Sequence, residues 1–260
     1  MGFLDKLGLI DALGASTLHW PGAVAATVAA LFVGARTGKF NRDGSSTAIP
    51  GHSVPLAGAG LFLLLFGWML WGGTGGIRPL LLAGAAGGLA SLILSQVRYY
   101  KPDLHLISAG LLGALVAASA GGASLSSIGA VLTGGVAGVI VPMAILLIDV
   151  RFRIDDPSGG IAIHGVGALW GAISAPFLTI AAGDWVDRLK SLGANALALL
   201  LAGLLSAGIS FVLWSLLKRS TSLKVKEHDE FDGLDLAEHD IGAYPDFQQN
   251  TIKSYHLREV

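Results

Sequence analysis

The chain has 260 residues, of which 53% are hydrophobic and only 13% are charged, and its mean hydropathy is +0.66. So few charged side chains cannot cover a water-soluble domain of this length, and the composition predicts a surface that faces lipid. The net charge of −1 argues against a nucleic-acid partner, and the lack of cysteine excludes disulfides, thiolate metal sites and thiol nucleophiles.

Seven stretches of the chain are long and apolar enough to cross about 30 Å of hydrocarbon, which takes roughly 20 residues of helix. They predict an all-α, polytopic membrane helix bundle with about seven transmembrane helices, at 12–35, 53–73, 77–97, 104–121, 125–149, 159–182 and 192–217. Short breaks rich in charged and turn residues separate them, as a compact bundle requires. We therefore expect a transmembrane domain at 1–218.

The distribution of lysine and arginine predicts the orientation of the bundle. Over residues 1–226, a cytoplasmic C-terminus places eleven of these residues inside and only four outside, which is the bias of a multi-pass protein of the cell membrane. Seven spans then place the N-terminus outside. Since the first residues do not look like a cleaved signal peptide, this arrangement suggests that further segments precede the chain.

Residues 219–260 are charged and hydrophilic, and they predict a cytoplasmic C-terminal tail. A tail of this kind is often disordered. Its apolar side chains leave a second possibility open, in which the tail docks on the membrane domain; they are Phe231, Leu234, Leu236, Tyr244 and Phe247.

The first and sixth predicted spans share the pattern D-x-x-G-(small)-x-x-(Leu/Ile)-His-x-x-Gly-Ala. It runs from Asp11 through His19, and again from Asp156 through His164. Because the predicted topology makes these two spans antiparallel, the pattern is typical of a transporter built from an inverted repeat.

Each aspartate of the repeat falls at a membrane boundary, where its carboxylate can cap the start of a helix. Each histidine follows about 12 Å further along the helix, near the midplane of the bilayer. We expect His19 and His164 to meet there, with Gly22 and Gly167 allowing the backbones to approach. A matched pair at this depth favours a functional site over two packing histidines bonded to nearby carbonyls.

No acidic or basic residue interrupts the central part of any predicted span. A path lined by apolar side chains and two neutral imidazoles suits a small neutral molecule. It opposes a bare ion, whose lost hydration would not be replaced.

The residues around these histidines resemble the ammonium transporters of the Amt/MEP/Rh family. The run 154–172, with Ile-His-Gly-Val-Gly at 163–167, looks like the tenth helix of that family, and Asp11 to His19 looks like the start of its fifth. The tail is similar to that of the bacterial Amt branch. Members usually have eleven spans, so the resemblance implies the fifth to eleventh helices and the tail, and hence an incomplete ammonium-transporter-like inverted repeat.

The resemblance also implies roles for single residues. Ammonium would be gathered by aromatic faces and a hydroxyl, would lose its proton, and would pass as ammonia along the hydrogen-bonded pair His19 and His164. Asp11 would be structural. Trp71 falls where the family has a gating phenylalanine, with an ordinary lipid-facing or core-facing aromatic as the alternative.

Three positions depart from the family pattern. Gly75 stands where members often have the recruiting serine, and Gly159 replaces a common acidic residue. The pair Trp20-Pro21 follows the first histidine, and Pro21 leaves the carbonyl of Thr17 without its helical partner and can kink the helix. These departures bear on transport efficiency more than on the fold.

The resemblance implies partners as well. The tail would contact neighbouring subunits and a PII-type regulator through Gly233, Asp235, His239 and Tyr244. The assembly would be a homotrimer or a complex with a separately encoded N-terminal half.

Transport of ammonium or ammonia is therefore the leading functional hypothesis, with a truncated or split transporter as one form of it. The alternative is a non-conducting, ammonium-responsive regulatory membrane protein that docks a PII-type partner. A haem held by the two histidines is less favoured, because no basic residues lie at that depth to bind its propionates. Intramembrane proteolysis is disfavoured too, since no nucleophile motif surrounds Ser16. We expect neither enzyme activity nor a cofactor.

Overall fold

The computed structural model describes residues 2–180 and 183–242, and within them the protein is helical. The helices are α1 Phe3–Lys6, α2 Trp20–Val33, α3 Val54–Tyr99, α4 Leu104–Gly121, α5 Ser127–Leu147, α6 Gly167–Leu178, α7 Trp185–Ser220, α8 Glu227–Asp232 and α9 Leu234–His239. Short π-helical turns precede α2 and α6 and follow α5. The predicted all-α membrane bundle is confirmed.

Six helical stretches of the described residues are long and apolar enough to cross a membrane, where the sequence predicts seven. The difference lies in α3, which takes up two predicted spans. Its 46 residues would extend about 69 Å if straight, roughly twice the hydrocarbon thickness. The break expected between the second and third predicted spans is thus helical except at Gly73.

A sharp turn at Gly73 divides α3. This glycine has φ 58° and ψ −176°, outside the helical region. A Cβ added at Gly72 would collide with the side chain of Leu80, although residues eight apart in a straight helix lie about 12 Å apart along its axis. Leu65 and Leu80 also belong to one apolar cluster. The two halves of α3 therefore stand for the second and third predicted spans.

The core lies along α4, most of whose residues are buried. α4 packs against α3 and α6, α3 also packs against α5, and α2 packs against α7. Glycine allows the closest of these approaches. A Cβ at Gly134 would collide with the backbone of Ala83, and one at Gly138 would collide with the backbone of Gly87. Backbone contact of this kind is how helices associate in lipid.

The loop between α2 and α3 closes one face of the bundle, which we call the basic face. Arg36 donates three hydrogen bonds to the Asp155 carboxylate, at 2.8 to 2.9 Å, from its backbone N–H and its guanidinium. The guanidinium lowers the pKa of Asp155, and the carboxylate raises that of Arg36. Lys39, which is buried, pairs with Asp149 at 2.9 Å. Both ion pairs fasten the loop to the segment that leads into α6.

The glycine contact between α3 and α5 yields a first prediction. Gly138→Ala should destabilise the protein by about 1–3 kcal/mol relative to Gly135→Ala, because the added methyl must push the α3 backbone away. Gly135 lies on the same helix and has nothing within 4 Å of an added Cβ. Both variants gain the same helix propensity. Unfolding of the purified proteins in detergent measures the difference, and equal stabilities would contradict the backbone contact.

Candidate functional site: the histidine pair

Both histidines lie in π-helical turns at the start of a membrane helix. The turn Ala15–His19 leads directly into α2, and the turn Ile161–Val166 leads directly into α6. Irregular turns of this kind are frequent at functional sites.

Asp11 organises the first turn. One of its carboxylate oxygens accepts from the backbone N–H of Ser16 at 2.9 Å, and the other accepts from the backbone N–H and the hydroxyl of Thr17. Gly14 has φ 82°, a left-handed conformation that glycine adopts without strain. The carboxylate thus pairs amides that have no partner within the helix.

Asp156 does the same for the second turn. Its carboxylate oxygens accept from the backbone N–H groups of Gly160 at 3.1 Å and Ile161 at 2.7 Å. Gly159 has φ 70°, matching Gly14 in the first turn. The left-handed conformation explains why a glycine stands at this position, where the related family commonly has an acidic residue.

The structure brings the two histidines together. Nδ1 of His164 lies 3.1 Å from Nδ1 of His19, and the two ring planes are inclined by only 22° with their centroids 5.1 Å apart. Because neutral imidazole has one N–H, one ring donates through Nδ1 while the other accepts there. The two Nε2 atoms then differ, one carrying a proton and one bare. The pair offers one donor and one acceptor to a small polar molecule.

The indole of Trp68 stacks on the imidazole of His19, a contact that the sequence did not predict. Its ring lies 5.4 Å from the His19 ring at 20°. Its Nε1–H donates to the hydroxyl of Ser119 at 3.1 Å, and that hydroxyl donates to the carbonyl of Leu115. One face of His19 therefore meets an anchored indole, while its Nδ1 edge meets His164.

Trp71, the predicted gating residue, lies one turn further along α3 and is 60% exposed. The indole stacked on His19 is that of Trp68, and the spacing of the two tryptophans in an all-apolar helix does not reveal which one faces the pair.

The glycines differ from their predicted role. A Cβ at Gly22 would meet nothing within 4 Å, and one at Gly167 would press against Gly113 and Val116 of α4 instead of the His19 segment. Gly165 is the residue between the two segments, since a Cβ there would lie 3.3 Å from that of Ala23. The repeat matches in sequence, but its glycines meet different neighbours because the surrounding helices differ.

The geometry does not suit a haem. Two axial nitrogens on one iron stand about 4 Å apart, twice a metal–nitrogen bond of about 2.0 Å, whereas these nitrogens lie at hydrogen-bond distance. Across residues 2–180 and 183–242, no cluster of three or more His, Cys, Asp or Glu is arranged to hold a metal ion.

The described part of the tail contacts the basic face. The carboxylate of Glu230 accepts from the backbone N–H of Thr37 at 2.7 Å and from its hydroxyl at 2.8 Å. These bonds lower the pKa of Glu230. The Lys224 ammonium donates to the carbonyl of Ala35 at 2.6 Å. The tail thus meets the loop that Arg36 ties to Asp155.

Three of the four tail residues singled out by the sequence lie within the described residues, and they are not the ones that make this contact. Gly233, with φ 92°, joins α8 to α9, and Asp235 and His239 lie exposed on α9. Tyr244 lies outside the described residues.

A multi-pass helical membrane protein with a histidine pair between two antiparallel repeats is the class that fold and site define. The chain matches the model of the Ammonium Transporter Family over residues 1–244, and it belongs to that family.

Relatives agree in sequence. Ammonium transporter Amt2 of Archaeoglobus fulgidus is 30% identical over 276 residues, covering 94% of this chain and 58% of its own length. Ammonium transporter Amt1 of Haloferax mediterranei is 31% identical, covering 95% of this chain and 51% of its own. The chain therefore spans only about half to three fifths of the length of these relatives.

Solved structures agree in fold. A protein described as "Sensor Amt Protein" is 31% identical with a TM-score of 0.86, covering 92% of this chain and 62% of its own. Mep2 of Candida albicans is 24% identical with a TM-score of 0.78, covering 94% of this chain and 58% of its own, and shows the same fold.

The cap of the second turn generates a prediction. Asp156→Ala leaves the amide of Ile161 without its carboxylate partner and that of Gly160 with only the Ser158 hydroxyl, and it should cost about 1 kcal/mol of stability, within the range of about 0.5–2 found for lost helix caps. Asp156→Asn keeps an acceptor oxygen and should cost less. Thermal unfolding in detergent compares the two, and an equal loss would mean that the charge, and not the hydrogen bonding, stabilises the turn.

The contact between Glu230 of the tail and Thr37 leads to a further prediction. Glu230→Ala should speed amide hydrogen exchange across α8, because both bonds to Thr37 are lost, whereas Glu238→Ala on exposed α9 should not. The lowered pKa of Glu230 means that its carboxylate stays charged below the usual glutamate range. The contact should therefore persist on mild acidification and be lost only as the pH falls through that lowered pKa. Exchange in α8 that is unchanged in the alanine variant would count against docking.

Proposed function

We propose that this chain forms part of a membrane path for ammonium, in which neutral ammonia passes the pair formed by His19 and His164. The observation that carries the proposal is the 3.1 Å contact between the two Nδ1 atoms in a member of the ammonium transporter family. The relatives named above are ammonium transporters by name.

The chemistry of the pair supports a neutral passenger. Ammonia both donates and accepts hydrogen bonds, so it can satisfy the proton-bearing Nε2 of one ring and the bare Nε2 of the other. An unaccompanied ammonium ion would leave its hydration shell for a wall of indole and alkyl groups, at a cost that neutral imidazoles do not repay. The proposal therefore includes transfer of one proton from ammonium to water at the entrance, so that neutral ammonia and not the ion reaches the pair.

Trp71 and Trp68 take separate parts in this path. We assign Trp71, which is largely exposed, to the entrance, where its face attracts a cation. Trp68 forms the wall beside His19. Asp11 and Asp156 hold the turns that carry the histidines.

The path is completed by further protein. The first half of α3 presents a broad apolar surface that includes Phe62, Leu63, Phe66 and Trp71, all at least 60% exposed. Relatives contain additional length that this chain does not span. We propose that the chain works as a homotrimer or beside a separately encoded N-terminal half. We place it in the cell membrane, with a membrane domain at 1–218 and a cytoplasmic tail at 219–260 that docks a PII-type regulator.

One observation favours a second function, that of an ammonium-responsive protein that does not conduct. The protein described as a sensor is 31% identical to this chain, and its TM-score of 0.86 is higher than that of the Mep2 structure. In this case the pair would bind its ligand without flux, and the tail contact at Glu230 would carry the response to the regulator.

Uptake tests the proposal. In cells that lack their own ammonium transporters, the chain should support methylammonium uptake, alone or with the upstream reading frame. His19→Ala and His164→Ala should each lower uptake by about tenfold or more, because misplacing one partner in a transport path has effects of this order. His228→Ala, in the exposed tail, is the control.

Two results would count against conduction. Verified membrane protein without uptake in either expression arrangement would exclude it, and retained binding of a PII-type protein in that case would favour the regulatory function. Uptake that is unaffected by both histidine substitutions would show that the path lies elsewhere.

A further inference from the structure

The segment immediately after His19 is tied to α7 by two hydrogen bonds that cross between helices. The Nε1–H of Trp20 donates to the carbonyl of Leu199 at 2.8 Å. The hydroxyl of Ser206 donates to the carbonyl of Pro21 at 2.7 Å. Trp20 and Pro21 are also the pair at which the sequence, directly after the first histidine, departs from the pattern of the family that it resembles.

The backbone needs such ties at this point. Pro21 has no N–H, so it cannot donate to the carbonyl of Thr17 one turn earlier, as a regular α-helix would require. The residues before it form a π-helical turn and not a regular helix. In lipid, weakened backbone bonding of this kind is held in place by neighbouring helices. α7 supplies that support through its hydrogen bonds to Trp20 and Pro21, the two residues that follow His19.

Gly203 of α7 leaves room for the indole of Trp20 because it has no side chain. A Cβ at Gly203 would stand 2.6 Å from Nε1 of Trp20, closer than any tolerated contact. Leu199 lies one turn before Gly203, so its carbonyl can receive the indole N–H only if the surface above it is bare. Gly208, further along the same helix, has nothing within 4 Å of an added Cβ.

The same indole also reaches the second histidine segment. A Cβ at Gly165 would lie 4.0 Å from Cζ3 of Trp20, and Gly165 adjoins His164. Trp20 is thus covalently next to one histidine, packed beside the neighbour of the other, and anchored by its N–H to a third helix.

We propose that Trp20, fixed by the Leu199 carbonyl over Gly203, is a positioning residue that holds the imidazole of His19 within hydrogen-bond distance of His164. A contact of 3.1 Å between ring nitrogens weakens steeply with small displacements. The indole of Trp20 limits such displacements because it lies beside both histidine segments. The Ser206 hydroxyl limits them through its bond to the backbone carbonyl of Pro21. The consequence for transport rests on the proposed function; the consequence for the pair itself does not.

The decisive measurement is the through-hydrogen-bond coupling between the two Nδ1 nuclei, recorded by NMR on the full chain labelled with ¹⁵N-histidine in lipid bilayers. Trp20→Phe keeps an aromatic ring but removes the N–H. Gly203→Ala pushes the indole off its carbonyl. Both variants should lose the coupling. Gly208→Ala, which makes the same chemical change on the same helix, should keep it.

Methylammonium uptake provides the second readout. Trp20→Phe and Gly203→Ala should lower uptake per folded molecule by about tenfold, as expected for a misplaced reacting group, and Gly208→Ala should not. If the unaltered chain shows no uptake, the proposed function fails while the coupling still decides the role of Trp20. Wild-type coupling in both Trp20→Phe and Gly203→Ala would overturn the inference.

Discussion

Lipid offers no hydrogen bonds, and the rest of the structure depends on this constraint. Wherever a chain in hydrocarbon leaves the regular helix, each freed polar group needs a partner from the protein. The segments that carry His19 and His164 are such places, and the first backbone amides of both turns find partners close by in the chain. Asp11 and Asp156 bind the first amides of the two turns, and the imidazoles bind each other. The irregular turns that carry the histidines are possible in lipid because carboxylates of the same chain accept hydrogen bonds from their free backbone amides.

The local parts of this arrangement could be predicted from the sequence, because a cap and its helix are close along the chain. The aspartate, the glycine three residues later and the histidine eight residues later appear twice, and the structure gives the two copies the same turn. The histidine contact follows once the two spans are taken as antiparallel. A capping residue, a glycine and a histidine at fixed spacing form their turn mainly through contacts that are local along the chain.

The remaining features could not be predicted, since they depend on which side of an apolar helix faces which neighbour. In a soluble helix the polar face reveals the buried one, but the helix that carries Trp68 and Trp71 is apolar all round, and only the fold selects Trp68 for the stack. For the same reason, the sequence did not reveal that Gly165, and not Gly22, lies where the two histidine segments approach each other. The turn at Gly73 is hidden as well, because glycine occurs throughout these spans and few of its positions have a positive φ.

The basic face connects the tail to the histidine site through adjoining residues. Glu230 of the tail binds Thr37, the preceding Arg36 binds Asp155, and the next residue, Asp156, caps the turn of His164. Each link is a charged or charge-assisted hydrogen bond, which fixes direction better than apolar contact does. A change at the tail therefore has a continuous polar route to the cap of one histidine, whereas His19 is held from the opposite direction, through Trp20 and α7. The two halves of the pair are thus supported by separate parts of the protein.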